Sequence, residues 1–187
     1  DLSAAFDTID HNILLHRLTS WFGISGSALS WFQSYLSSRS SIVSVSGLKS
    51  SSFSSSCGVP QGSVLGPLLF IMYTIPLSNL ISNSPVSHHL YADDTQLYLS
   101  FSPNSYTSNI VQLQSVIAQV STWMSSNLLS LNPKKTEFLI IGTPQQLSKL
   151  NNPALVFDPN TIITPVNSAR SLGILVDNHL SLNDQIT

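Results

Sequence analysis

Apolar residues at Ile110, Leu113, Ile117, Val120, Met124 and Leu128 recur every three or four positions, which predicts a long amphipathic helix with its inner face on a sheet. Two shorter helices are expected nearer the start. In the first, Asp10 is placed to cap a helix carrying Leu14, Leu18 and Trp21 inward, and Gly23 stops it. In the second, Ser25 or Ser27 caps a face of Ala28, Leu29, Phe32, Tyr35 and Leu36. A fourth helix, strongly apolar, is expected over residues 68 to about 80 after a loop punctuated by Gly58, Pro60, Gly62, Gly66 and Pro67. The repeated glycines predict that backbone passes close to something there.

Strand patterns fill the spaces between. Residues 41–46 and 50–56 read as a serine-rich hairpin about Gly47, or as a loose loop. Alternation across His88-His89-Leu90-Tyr91 and Thr95-Gln96-Leu97-Tyr98-Leu99 predicts a hairpin with Asp93-Asp94 at its turn, its two histidines facing opposite ways. Leu131-Asn132-Pro133-Lys134-Lys135-Thr136 reads as a turn leading into a short buried strand over residues 137–142. A small hairpin is expected around Asp158-Pro159-Asn160 and a last strand over residues 172–177. Elements alternate without the rhythm of a parallel sheet, so the expected class is α+β: helices packed on one face of an antiparallel sheet, with an acid-tipped hairpin at its centre.

Composition narrows the possibilities. The chain of 187 residues suits a single domain, 1–187, with a substantial core. Charged residues are only 9% of it, against roughly a quarter in ordinary soluble domains, which predicts poor solubility. A net charge of −2 gives no basic field to announce a nucleic acid. One cysteine, Cys57, excludes an internal disulfide and a cysteine-based zinc site and fits a reducing, intracellular setting. The apolar run over residues 64–77 is too short for a membrane span and holds Pro67 and Pro76, so no membrane partner is expected. No signal peptide is visible. Opening on Asp1 and ending in mid-pattern at Thr187, the sequence reads as a segment of a longer protein.

The scarce acids gather at Asp1, Asp7 and Asp10 and at Asp93 and Asp94. Adjacent carboxylates at a turn repel unless a cation or proton neutralises them, and a hard divalent metal answers that need. A solvated Asp-rich turn is the plainer reading of the pair taken alone. Joined to Asp1, the pair supplies carboxylates from separate elements, as a site with two cations roughly 3.5–4 Å apart requires for phosphoryl or nucleotidyl transfer. This predicts the Asp1 and Asp93 carboxylates within about 4–6 Å of each other. Asp7 and Asp10 fit turn and cap roles better, and His11 and His16 structural ones. No Gly-x-Ser-x-Gly, P-loop or His-Glu-x-x-His pattern offers another chemistry.

At these residues the chain resembles the palm of reverse transcriptases, and most closely those of non-LTR (LINE-type) retrotransposons. Asp1-Leu2-Ser3-Ala4-Ala5-Phe6-Asp7 through His11 resembles that family's first palm motif, and residues 58–70, from Gly58-Val59-Pro60-Gln61-Gly62-Ser63, its second. Tyr91-Ala92-Asp93-Asp94 matches the third, Leu131 to Glu137 the fourth, and Ser171-Leu172-Gly173-Ile174-Leu175-Val176-Asp177 the segment before the primer grip. The resemblance implies an RNA-directed DNA polymerase that joins dNTPs to a primer 3′-hydroxyl on an RNA template. It assigns Asp1, Asp93 and Asp94 to two Mg²⁺ ions, replaceable by Mn²⁺, and Lys135, with Lys134 as rival, to the departing pyrophosphate. Ala5, Phe6, Gln61 and Gly62 would line the nucleotide pocket, Phe6 as the steric gate against a 2′-hydroxyl. Fingers and thumb would be largely missing, so the chain alone is expected to be nearly inactive. The alternative is a non-catalytic retrotransposon relic serving as a structural or interaction domain. In the parent element the setting would be nuclear or cytoplasmic.

Overall fold

The computed structural model describes residues 2, 5–60 and 62–186. It opens with α1 (His11–Ser20), and Asp10 caps this helix by accepting from the Ile13 amide at 2.9 Å. Gly23 at φ +66° ends the segment, its amide returning to the Thr19 carbonyl. Helix α2 (Gly26–Leu36) follows from Ser25, and only Leu36 of its expected inner face is fully buried. Trp21 and Ala28 are exposed rather than internal. Trp21 is the C-cap just past α1, and Ala28 lies in the first turn of α2.

The serine-rich stretch forms one ribbon: β1 (Arg39–Ser41) pairs with β4 (Phe53–Ser55), and β2 (Ser44–Val45) with β3 (Leu48–Lys49) about Ser46-Gly47. Helix α3 (Leu65–Ser82) is longer at both ends than the apolar run suggested, because Ser63 Oγ accepts from the Gly66 amide at 3.0 Å and starts the helix early. At 18 residues it is apolar and long enough to cross a membrane by length and composition. Here it is instead the axis of the core, with Leu69, Phe70, Tyr73, Leu77 and Ile81 buried between α1, the hairpin described next and the long helix after it. An apolar surface on most sides is what such a central helix needs.

Strands β5 (Ser87–Tyr91) and β6 (Asp94–Tyr98) form the central hairpin, and β5 packs on α3. Helix α4 (Tyr106–Ser126) buries Leu113, Val116, Ile117, Val120 and Met124. Leu128 falls beyond its end, exposed and at φ +56°, where the chain turns back. After the 3₁₀ turn Pro133–Lys135 come the short α5 (Pro144–Leu147), β7 (Leu155–Asp158) with β8 (Thr161–Ile163), β9 (Ser168–Ser171) with β10 (Ile174–Asp177), and α6 (Asn183–Ile186).

Helix and strand are thus mixed, as an α+β class requires, but the strands do not merge into the one sheet expected. Among the described residues they pair only as two-stranded antiparallel ladders. Joining ladders edge to edge needs long-range register, and among the described residues the ladders are linked only by single bridges, Leu2 with Leu131, Asp10 with Cys57 and Leu139 with Val166. For the same reason residues 137–142 are extended without forming a strand: the Val166 amide reaches the Phe138 carbonyl at 2.9 Å, and the pairing goes no further. The final strand is shorter than expected and is one arm of a hairpin, because Leu172 at φ +48° and Gly173 at φ +87° make a tight turn within it.

Two polar groups are fixed inside this framework. Arg17 is buried on α1 between Leu14 and Leu18, and donates to the Tyr73 carbonyl and to Asn127 Oδ1. Pro76 lacks the N–H that would bond the Met72 carbonyl, so α3 is loosened beside the carbonyl that the arginine reaches. Tyr73 Oη in turn donates to the Asn127 carbonyl at 2.7 Å, tying α3 to the end of α4.

Asp177 is the second. Its carboxylate accepts from the amides of His179 (2.8 Å), Ser181 (3.1 Å) and Leu182 (2.7 Å) and from Ser181 Oγ (3.1 Å). These bonds, those of Ser181 foremost, favour the charged form and pull its pKa down to about 2. Unfolded aspartate titrates near about 3.9. The stabilisation is therefore complete above about pH 4 and is lost as pH falls toward 2. Acid titration followed by circular dichroism should show Asp177→Asn to be less stable at neutral pH but flatter below about pH 4. Superimposable acid limbs for the two proteins would remove the loop from this account.

Candidate active site

The hairpin places the acids. Tyr91 and Asp94 are the last paired residues, so Ala92 and Asp93 form the turn itself and Asp94 begins β6. Ala92 sits at φ +50°, a left-handed conformation that favours glycine, at a cost of about 1–2 kcal/mol for a residue with a Cβ. Asp93 and Asp94 are both half-buried. Alternation along β5 turns His88 and Leu90 inward and leaves Ser87, His89 and Tyr91 outward. His88 Nε2 meets Ser78 Oγ of α3 at 2.7 Å, so the two histidines do face opposite ways and the inner one anchors the hairpin to the core helix. On β6, Leu97 packs on the core and Gln96 Nε2 donates to Ser171 Oγ at 2.6 Å, linking the hairpin to β9. Ser78 carried no signal in a sequence so rich in serine, and Ser171 was marked only as part of the segment before the primer grip.

A second group of residues is bound together by backbone. The Val59 amide donates to the Phe6 carbonyl and the Gly58 amide to the Ile9 carbonyl, both at 2.8 Å, and His11 Nε2 donates to the Gly58 carbonyl at 2.8 Å. Ala5 is buried, and the half-buried Phe6 ring packs on Phe70 of α3 with centroids 4.9 Å apart. The expected close approach of backbone occurs at Gly58, whose φ is +83° and where an added Cβ would lie 2.9 Å from the Asp7 carbonyl oxygen. Gly58→Ala is expected to cost more than the roughly 1–2 kcal/mol of the left-handed backbone alone, because the carbonyl must also move. Urea denaturation would measure this, and an unchanged midpoint would refute it. Gly62, also at positive φ (+76°), is exposed with open space around it.

Lys134 and Lys135 are exposed in the Pro133–Lys135 turn, which Asn132 holds by accepting from the Lys134 amide at 3.1 Å. The bridge from Leu131 to Leu2 brings this turn beside the start of the chain. Asp1 and Gln61 lie outside the described residues, so the expected Asp1–Asp93 distance and the glutamine's place in the pocket do too. Among the described residues no three His, Cys, Asp or Glu side chains stand close enough to hold a metal ion. The hard carboxylate oxygens of Asp93 and Asp94 suit Mg²⁺ in type, but a site needs further ligands.

A hairpin carrying paired acids and a Gly-rich loop laced to an aspartate-bearing turn are both anchored on α3, the one through His88 and Ser78, the other through Phe6 and Phe70. The family described as "Reverse transcriptase (RNA-dependent DNA polymerase)" matches residues 1–175, and the chain belongs to it. It is 29% identical over its whole length to the "Probable RNA-directed DNA polymerase from transposon BS" of Drosophila melanogaster, covering 20% of that protein. It is 33% identical over 72% of its length to the "RNA-directed DNA polymerase from mobile element jockey" of the same fly, covering 15% of it. The resemblance to LINE-type polymerases is thereby borne out. The chain spans about a fifth of the length of the curated relatives it matches.

Proposed function

We propose that residues 1–187 are the palm of an RNA-directed DNA polymerase of a non-LTR retrotransposon, with Asp1, Asp93 and Asp94 holding two divalent cations. The observation that carries this reading is the β5–β6 turn, which presents adjacent carboxylates within a chain of the reverse transcriptase family. Two Mg²⁺ ions, or Mn²⁺ in their place, would clamp the attacking and leaving oxygens and neutralise charge between them. The primer 3′-hydroxyl gives up its proton to solvent water as its oxygen attacks the α-phosphorus of a dNTP, a P–O bond forms, the α–β anhydride breaks, and pyrophosphate leaves. Lys135 gives a proton to that leaving group, and Lys134 is its neighbour in the same turn. Phe6, braced by Phe70, meets the sugar where a 2′-hydroxyl would stand, while Ala5, Gln61 and Gly62 line the pocket. RNA template, DNA primer and dNTPs are the partners of this reaction.

Seven Lys and Arg against nine acids give few phosphate contacts, so grip on primer and template must come from other parts of a longer protein. The isolated chain is accordingly a poor polymerase, and a metal-binding measurement tests the site without requiring turnover. Mn²⁺ added to the ¹⁵N-labelled chain with dNTP should broaden the amide signals of Asp93, Asp94 and Phe6 first, and Asp93→Asn should abolish the selectivity. Broadening centred elsewhere would sink the assignment.

A further inference from the structure

Arg17 is 7% exposed, and among the described residues it has no carboxylate partner. Its acceptors are neutral: the Tyr73 carbonyl, the Tyr73 hydroxyl and Asn127 Oδ1. One side of the guanidinium lies over the Tyr73 ring, 4.5 Å from its centroid, and Trp123 is at 5.2 Å. The nearest acid along α1, Asp10, is turned to the Ile13 amide. A cation buried without a counter-charge is costly, and cation–π contact offsets only part of that cost. Burial accordingly pushes the Arg17 pKa down. Arg17 also lines an open cavity of about 470 Å³, together with Asn12, Ile13, His16, Trp21, Pro76 and Asn127.

We propose that this cavity is a carboxylate-binding site in which Arg17 meets a single acidic group presented from outside the chain. A guanidinium carries five N–H donors in a planar fork that matches a carboxylate, and the bonds to Tyr73 and Asn127 do not exhaust those five. One fixed cation balances a monoanion. A phosphate dianion would overshoot it, and a nucleic-acid backbone needs a row of cations that this wall lacks. The amides of Asn12 and Asn127 can donate to the same group. Half-exposed Trp21, with Pro76, offers the apolar wall that the methylenes of an acidic side chain would cover. The ligand class is therefore a side-chain carboxylate of a protein segment or a small free carboxylate. The site is independent of the polymerase reading and uses none of its residues.

The test is an NMR titration of the ¹⁵N-labelled chain at constant ionic strength with acetate, blocked glutamate (N-acetylglutamate amide), blocked glutamine, inorganic phosphate or chloride. Saturable shifts at the Trp21 indole N–H and the Asn12 and Asn127 side-chain amides are expected with acetate and blocked glutamate, and not with blocked glutamine or chloride. Blocked glutamate binding at least several-fold tighter than acetate assigns the site to a protein side chain; equal binding assigns it to small carboxylates. Arg17→Lys, which keeps the charge and loses the fork, should weaken binding about ten-fold. Trp21→Ala, at a half-exposed position, should weaken it several-fold with the Met124 methyl signal unmoved, and it decides the matter if the arginine variant unfolds. Tighter binding of phosphate than acetate, shifts equal to those with chloride, or full affinity in a folded Trp21→Ala protein would each overturn the proposal.

Discussion

Asp93→Asn is expected to lower primer extension by on the order of 10²–10³-fold, the scale of losing one group that stabilises developing charge. The effect follows from position. Asp93 is the second residue of the two-residue turn, beyond the last strand pair, whereas the backbone of Asp94 is held in β6 opposite Tyr91. Asp94→Asn should therefore cost less, and the contrast between the two separates a ligand from a charge that assists it. The measurement is single-nucleotide incorporation by a chimera in which residues 1–187 replace the aligned segment of the transposon BS polymerase, which matches the whole chain. Both variants should melt with the parent, since neither side chain is fully buried. Equal activity of Asp93→Asn and parent would remove this residue from the chemistry.

Phe70→Ala is expected to be the most destabilising single change, by roughly 3–5 kcal/mol, the range for truncating a buried phenylalanine. Phe70 is fully buried in the first half of the core helix. It is also the surface on which Phe6 rests, at 4.9 Å. Truncation thus opens a cavity in the core and releases the ring proposed as the steric gate. Phe6→Ala should cost clearly less, because Phe6 is only partly buried. Urea denaturation of the two variants would rank them, and the reverse order would show that the stacking surface is not organised around α3.

The long helix α4 was legible because its stripe is local: five buried residues at helical spacing identify it without any partner. The hairpin at Asp93-Asp94 was legible for a similar reason, since alternation on both arms fixes its register within a dozen residues. Arg17 left a visible but ambiguous trace, a charge set between Leu14 and Leu18 on the inner face of α1. Nothing in that trace could say whether the guanidinium found an acid, a carbonyl or water. The strands expected at residues 137–142 and 172–177 were misjudged because apolar alternation marks an extended segment but not its partner.

The sequence by itself determined the local units: helix spans, caps at Asp10 and Gly23, the turn that presents two carboxylates, and motifs specific enough to indicate the family. These depend on neighbours a few residues apart, so pattern carries them. Only the tertiary structure decided that the core is built around α3 rather than under one sheet, that Gly58 exists to let the loop touch Asp7, and that Arg17 is buried facing neutral partners and a cavity. Each of those is set by contacts tens of residues apart in the chain, whose energies come from close packing and desolvation, and neither quantity is written in any one segment.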